Sequence, residues 1–278
     1  MLELRPKYPL DDLLKLAGLA RSTFYYQQHA LLAEDKHAKL KESIKTIYHC
    51  HKGRYGYRRI TAAIKQLGVI ANHKTVQRLM GEMGLKSLVR AKKYKSYKGD
   101  VGRTAPNVLG REFSAQKANQ KWVTDVTEFN VAGEKLYLSP VMDLYNGEII
   151  AYETASKPTK LVGGMLQKAL GKLRKDDRPI LHSDQGWQYR MPAYQQMLRE
   201  KQIVQSMSRK GNCLDNAAME SFFGTLKSEF FYLNKFKNPE DLQDGIKDYI
   251  HYYNHDRIKL KLKGLSPVQY RTQSLLSA

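Results

Sequence analysis

Three acidic residues stand where an acid is costly unless it does something. Asp125 lies in the run WVTDVTEF (122–129), Asp184 ends the run ILHSD (180–184), and Glu220 lies in NAAMESFFGTLK (216–227). A carboxylate inside an apolar strand or beside an apolar helix face must be neutralised by a cation or a proton. Hard divalent cations prefer oxygen ligands, and carboxylates gathered from separate elements can hold two such ions and activate a water or hydroxyl nucleophile. In the last run, Glu220, Gly224 and Lys227 follow one another at helical spacing, with Phe222, Phe223, Leu226 and Phe230 left for the buried side. Glu220 is then expected to face the metal site, Gly224 to leave room beside it, and Lys227 to reach a phosphate.

The elements expected to carry these residues form a mixed sheet. Residues 121–131 read as one β-branched strand with Asp125 in its middle, 135–145 as a second, and 148–154 as a third after the hairpin signal Asn146-Gly147. A helix over 158–175, a strand over 179–183, a helix over 192–201 and a strand over 203–208 follow. Helices over 216–232 and 239–253 end the region. Early hairpins followed by helix-separated strands give a five-stranded α/β sheet flanked by helices.

Composition names the partner. The 278 residues carry a formal net charge of +20 and a pI near 9.7, a balance suited to a polyanion. No apolar run approaches the ~18 residues of a membrane span, and the N-terminus has no signal-peptide stretch. Cys50 and Cys213 form no CxxC pair, which fits a reducing cytoplasm. The charge concentrates in residues 51–110, with 14 basic side chains against 2 acidic.

That basic region is preceded and partly filled by helices. Residues 1–50 read as a helical, helix-turn-helix region, with Leu10, Leu13, Leu14 and Ala17 at helical spacing, a stop at Gly18, and a long helix over 34–50. Residues 51–88 read as a second helix-turn-helix-like domain: a helix over 60–67, then one over 73–83 with Asn72 as N-cap. In the latter, Val76, Leu79, Met80 and Met83 oppose Lys74, Gln77, Arg78 and Gly81, as in a recognition helix entering the major groove. The candidate DNA contacts are Arg54, Tyr57, Arg58, Arg59, Lys74, Gln77, Arg78, Arg209, Lys210 and Lys227, with Lys92, Lys93 and Lys95 in a basic, tyrosine-interleaved linker over 89–118. The sheet region spans 119–255, and 256–278 is left as a tail.

Other groups have blander readings. Asp143 is expected in a structural hydrogen-bonding role, and Asp215 is expected to cap the Glu220 helix with Asn216. His49, Cys50 and His51 are adjacent and point apart, against a zinc site. His251 and His255 read as a solvated helix face. His182 either orients water or phosphate or is structural. Trp187 and Tyr189 either stack on unpaired bases or pack beneath a loop.

The motifs together resemble one family. Asp125, Asp184 and Glu220 look like the DDE triad of transposases and retroviral integrases, with thirty-five residues between Asp184 and Glu220 and Lys227 seven residues on. GRYGYRR (53–59), WVTD (122–125), HSDQG (182–186), SRKGNCLDNA (208–217), FGTLK (223–227), YNHDR (253–257) and LSP (265–267) resemble the transposases of the insertion-sequence-three family over nearly the whole chain. The resemblance implies an RNase H-like core and metal-dependent strand cleavage and 3′-OH transfer, in a copy-out, paste-in pathway. Two Mg²⁺ ions, with Mn²⁺ as substitute, would be held by the three acids. The partners would be double-stranded DNA of the element's terminal inverted repeats and of the target, and further copies in a dimer or larger synaptic complex. The resemblance is to the downstream-frame protein, so an upstream-frame helix-turn-helix and coiled-coil partner is also implied. The rival readings are a nuclease that cuts without joining and a DNA-binding regulator.

Overall fold

The computed structural model describes residues 2–32, 35–89, 105–110, 112–158, 161–208 and 216–276. Lys92, Lys93, Lys95, Arg209, Lys210, Cys213 and Asp215 lie outside the described residues. The chain forms two compact units, Met1–Ile47 and Tyr48–Ala278. No helix among the described residues is long and apolar enough to cross a membrane.

The first unit holds α1 (Leu10–Ala17), α2 (Arg21–Leu32) and the start of α3 (Ala38–Cys50). Leu13 and Leu14 supply the buried face of α1, and Gly18 ends it with φ 64°, a left-handed backbone that glycine adopts without a Cβ clash.

The second unit begins with α4 (Tyr57–Gln66) and α5 (His73–Glu82). Ile60 and Ile64 bury one stripe of α4, and Val76, Leu79 and Met80 bury one stripe of α5. Asn72 caps α5 as expected, its Oδ1 accepting from the Lys74 amide at 2.9 Å.

Six strands follow: β1 (Lys121–Thr124), β2 (Thr127–Val131), β3 (Glu134–Asp143), β4 (Ile149–Ala155), β5 (Ile180–Ser183) and β6 (Val204–Met207). The continuous strand expected over 121–131 is broken at Asp125 and Val126, so Asp125 sits at a strand end rather than mid-strand. Both halves pair antiparallel with β3, β1 against Val141–Asp143 and β2 against Glu134–Leu138. The third β3 partner, β4, must therefore take the opposite edge. Six strands thus occupy five positions, with β5 parallel to β1 and β6 parallel to β5.

Helices cover both faces of this sheet. Trp122, Val141, Leu181 and Met207 pack with α6 (Leu161–Leu170) and α7 (Pro192–Glu200) in one core. Val123, Phe129, Leu138 and Met142 pack with α8 (Ala217–Glu229) and α9 (Pro239–His255) in the other. The alternation of Trp122 and Val123 between the two cores is the period-two rule for a central strand buried on both faces. The stretch expected as a tail instead carries α10 (Pro267–Leu276). Arg271 of α10 pairs with Asp143 and with Glu148, and the Asp143 carboxylate is fully buried. A carboxylate there requires a cation, and the sequence beyond residue 255 supplies it.

Candidate active site and DNA-binding helices

Register brings the two aspartates side by side. β1 and β5 are parallel neighbours with Val123 opposite His182, and Asp125 and Asp184 each follow by two residues, just past the ends of their strands. Strand ends leave side chains free of ladder packing, and in parallel sheets ligands collect at the carboxyl ends. Each aspartate turns back on its own loop: Asp125 Oδ1 accepts from the Val126 amide at 2.7 Å and Asp184 Oδ1 from the Gly186 amide at 2.9 Å.

The electrostatics are those of acids held together. Burial, then the neighbouring Asp184, then Glu220 push the Asp125 carboxyl up to about 7, against the opposing pull of the Val126 amide and Lys227. Burial likewise raises Asp184. Two half-buried carboxylates that disfavour each other's ionisation bind either a proton or a cation.

Glu220 arrives on α8. Phe222, Phe223 and Leu226 are buried against the sheet while Gly224 is exposed, the division that the spacing predicts. Asn216 does not cap this helix with its side chain; its Nδ2 donates to the Thr124 carbonyl at 3.3 Å and ties the start of α8 to the end of β1. Lys227 fixes the other half of the helix, its Nζ donating to Thr127 Oγ1 at 2.7 Å and to the Glu128 carbonyl at 3.2 Å, 5.1 Å from the Phe129 ring centroid. Its ammonium thus braces β2 and lowers the Asp125 carboxyl. Among the described residues, no group of three His, Cys, Asp or Glu side chains is gathered into a metal-holding cluster. The structure draws Asp125 and Asp184 together and sets Glu220 within electrostatic reach of Asp125, short of a three-acid ligand cage.

The surroundings divide into packing and exposed groups. Tyr189 is fully buried, edge-to-face with Tyr194 at 5.6 Å, and burial with the charges of Asp125 and Asp184 raises its hydroxyl well above its ordinary value. Trp187 stays 47 % exposed on the loop after Asp184. His182 is buried, its Nδ1 2.8 Å from Ser206 Oγ, which accepts from the amides of Val108 and Leu109. That fastens the chain before β1 onto β6. His51 stacks on Tyr55 at 3.8 Å, and no metal cluster forms there among the described residues.

The basic motif GRYGYRR splits in two. Arg54 is buried: its Nε donates to the Glu229 carbonyl at 3.2 Å, and its guanidinium lies over the rings of Tyr252 and Tyr249 at 4.6 and 5.3 Å. Arg59 pairs with Glu229 at 3.1 Å, and the Tyr55 hydroxyl donates to the Asp256 carbonyl at 2.6 Å. These groups dock α4 onto α8 and α9, so the expected phosphate contact of Arg54 does not fit its buried placement, while Arg59 stays partly exposed beside its pairing with Glu229. The interior supplies acceptors and rings that sequence proximity did not reveal. The exposed remainder is coherent. Arg58 is exposed and its Nε donates to Tyr57 Oη at 3.1 Å, and Tyr57 stacks on His73. Lys74, Gln77 and Arg78 are all exposed along α5, with Arg78 paired to Glu82.

Comparison with known proteins gives this arrangement its family. The integrase core domain family matches residues 115–213 and again 220–275, and the HTH-like domain family matches residues 34–93. The chain is 57 % identical over 275 residues to InsK of Escherichia coli K12, assigned as a transposase for insertion sequence element IS150, covering 99 % of this chain and 97 % of that one. It is 34 % identical over 228 residues to the transposase InsF for insertion sequence IS3A of the same organism, covering 81 % and 79 %. The solved catalytic core of HTLV-2 integrase, in complex with magnesium, aligns with a TM-score of 0.45 at 18 % identity, over 56 % of this chain and 98 % of that one. The chain belongs to the insertion-sequence transposases of the insertion-sequence-three family, with an integrase-type catalytic core behind an HTH-like region.

Proposed function

We propose that this transposase cuts and joins DNA at the ends of its element with divalent metal held by Asp125, Asp184 and Glu220. The observation that carries the reading is the pairing of Asp125 and Asp184 at adjacent parallel strand ends, each with a raised proton affinity. Such a pair fits a divalent cation, whose charge would offset the repulsion between the acids and exclude the proton. Glu220 completes the donor set from α8, and two Mg²⁺ ions, replaceable by Mn²⁺, satisfy three carboxylates of this kind. When bound, the metal supplies charge stabilisation for an in-line displacement at phosphorus.

The chain's own groups do the positioning. Asn216 and Lys227 fix α8 against β1 and β2, which sets where Glu220 stands relative to Asp125. Tyr189 is fully buried within electrostatic reach of both aspartates. On α4 and α5, Arg58, Lys74, Gln77 and Arg78, with the half-buried Tyr57 beside them, offer an exposed basic face to duplex DNA, with Lys92, Lys93, Lys95, Arg209 and Lys210 adding phosphate contacts. Terminal inverted repeats and target DNA are the substrates. A dimer or larger synaptic assembly, with an upstream-frame helix-turn-helix partner, brings the two ends together.

The test is a labelled element-end duplex incubated with protein and Mg²⁺, with the upstream-frame protein added in parallel. Nicked and joined products that vanish in Asp184→Asn support the reading. Cleavage without any joined product under both conditions points to a nuclease instead.

A further inference from the structure

Four cationic side chains line one cavity. Arg59, Arg257, Lys259 and Lys261 line a space of about 500 Å³ between α4, α8 and the stretch that follows α9. Among the described residues of its wall there is no aspartate or glutamate. Behind the wall, a single carboxylate, Glu229, is shared by Arg257 and Arg59 at 2.8 and 3.1 Å, so two guanidinium charges are met by one acid.

Lys259 has only neutral partners. Its Nζ donates to the Gly147 carbonyl at 3.0 Å and to Tyr253 Oη at 2.8 Å, and it lies 4.5 Å from the Tyr253 ring centroid. All three contacts are with neutral groups. Burial, then Arg257 and Arg59, press its ammonium down to about 7. The approach to Gly147 is close enough that a Cβ there would stand 2.4 Å from Nζ, and the turn holds Gly147 at φ 70°. The fold thus reserves space for an amine among like charges. Such crowding is unfavourable until an anion enters.

The rest of the wall says what else the ligand carries. Phe113, Leu144 and the exposed Leu260 give the cavity an apolar side, which a bare phosphate would leave uncovered. The volume falls in the range of small-ligand pockets, roughly 300–1,000 Å³. We propose that this cavity binds a nucleotide unit, its phosphate on Lys259, Arg257 and Lys261 and its base against Phe113, Leu144 and Leu260. The unit is either a free nucleotide or one nucleotide of a bound DNA strand. Neither aspartate nor Glu220 lines the cavity, so the site works without metal and stands apart from the cleavage reading above.

The experiment is calorimetric titration of the full chain in EDTA with thymidine 5′-monophosphate, with thymidine and inorganic phosphate alongside. The monophosphate is expected to bind more tightly than either fragment. Lys259→Met is expected to weaken it about tenfold, the scale of one lost charge-assisted contact, and to leave thymidine unchanged. Lys261→Glu, at an exposed position, weakens it in the same direction and keeps the test open if Lys259→Met fails to fold. Lys201→Glu, at an exposed position just after α7, leaves it unaltered. Competition by single-stranded oligothymidylate assigns the pocket to a DNA strand, and its absence assigns it to the free nucleotide. No binding of the monophosphate by the wild-type chain overturns the proposal. So does equal binding by wild type and a folded variant at Lys259 or Lys261.

Discussion

Glu229 accepts two hydrogen bonds from Arg257, both at 2.8 Å, in a pairing that is almost wholly buried. Arg59 reaches the same carboxylate, and the Tyr249 hydroxyl donates to it at 3.1 Å. Glu229 closes α8, nine residues after Glu220, which at ~100° per residue puts the two on opposite sides of the helix. One side of α8 turns toward the aspartates and the other toward the basic motif of α4. The helix that carries Glu220 is therefore set in place by residues from both ends of the chain.

Removing the Glu229 charge should destabilise the protein strongly. Glu229→Gln leaves Arg257 and Arg59 buried without an acid, a loss of about 3–5 kcal/mol for breaking a buried pair. Burial alone would raise the Glu229 carboxyl, but Arg257 and Arg59 outweigh it and hold it below its ordinary 4.5. An acid with a depressed folded pKa contributes stability that is present above its unfolded value and lost as the pH falls through the folded one. Wild-type stability should therefore drop below pH ~4.5, and this share of the drop should be missing from Glu229→Gln. Urea denaturation across pH 3–7, at roughly unit steps, reads both effects.

The seven residues of GRYGYRR should separate under mutation. Arg54→Ala empties a buried cation site over two rings and should lower the melting temperature markedly, with DNA affinity falling only through unfolding. Arg58→Glu and Lys74→Glu sit on exposed surface and should keep the melting temperature while reducing DNA affinity and its salt slope. Fluorescence anisotropy with element-end duplex at several salt concentrations distinguishes them. A weakened Arg54→Ala that melts like wild type would return that residue to the DNA interface.

The latch of α10 makes a similar prediction for the end of the chain. Arg271 pairs with the fully buried Asp143 and with Glu148, and Asn119 Oδ1 accepts from the same guanidinium at 3.1 Å. Arg271→Ala should cost on the order of 3 kcal/mol, while Arg271→Ala combined with Asp143→Ala should cost less than the two singles together. A double-mutant cycle by chemical denaturation measures the coupling. Additive losses would mean that the pair is not a unit.

How far the sequence could be read follows from the range of the forces involved. The aspartates were legible because a strand end and an apolar strand are local patterns, and Glu220 because α8 separates Phe222, Phe223 and Leu226 from Gly224 at helical spacing. The break at Asp125 was not legible, since β-branched residues continue on both sides and only pairing with β3 shows two half-strands. Arg54 and Arg59 look like phosphate ligands within their own motif; their acceptor, Glu229, lies 175 and 170 residues away. Arg271 likewise has its partner 128 residues back, so residues 256–278 read as a tail. Charge tells how basic a segment is, but burial decides which of its cations meet solvent.

Asp125→Asn should separate binding, stability and chemistry in one variant. It keeps the side chain's shape and removes a charge that burial, Asp184 and Glu220 all disfavour. In EDTA the wild-type carboxylate has a folded pKa of about 7, well above its ordinary 3.8, so it contributes stability at low pH that is lost as the pH rises toward 7. The variant should therefore melt higher than wild type at pH 8, and the gap should close below pH ~4, where both side chains are neutral. Added Mg²⁺ should stabilise the wild type at pH 8 and do little for the variant, because the cation offsets a repulsion that the amide has already removed. Nicking and joining should both fall on the order of 100-fold or more, since the two steps draw on one set of ligands. DNA affinity should hold, because the exposed basic face of α4 and α5 is separate from the aspartates. Differential scanning fluorimetry with and without Mg²⁺, beside a strand-transfer assay, checks every part. A variant that melts lower in EDTA at pH 8 and still joins ends at the wild-type rate would remove Asp125 from the metal site.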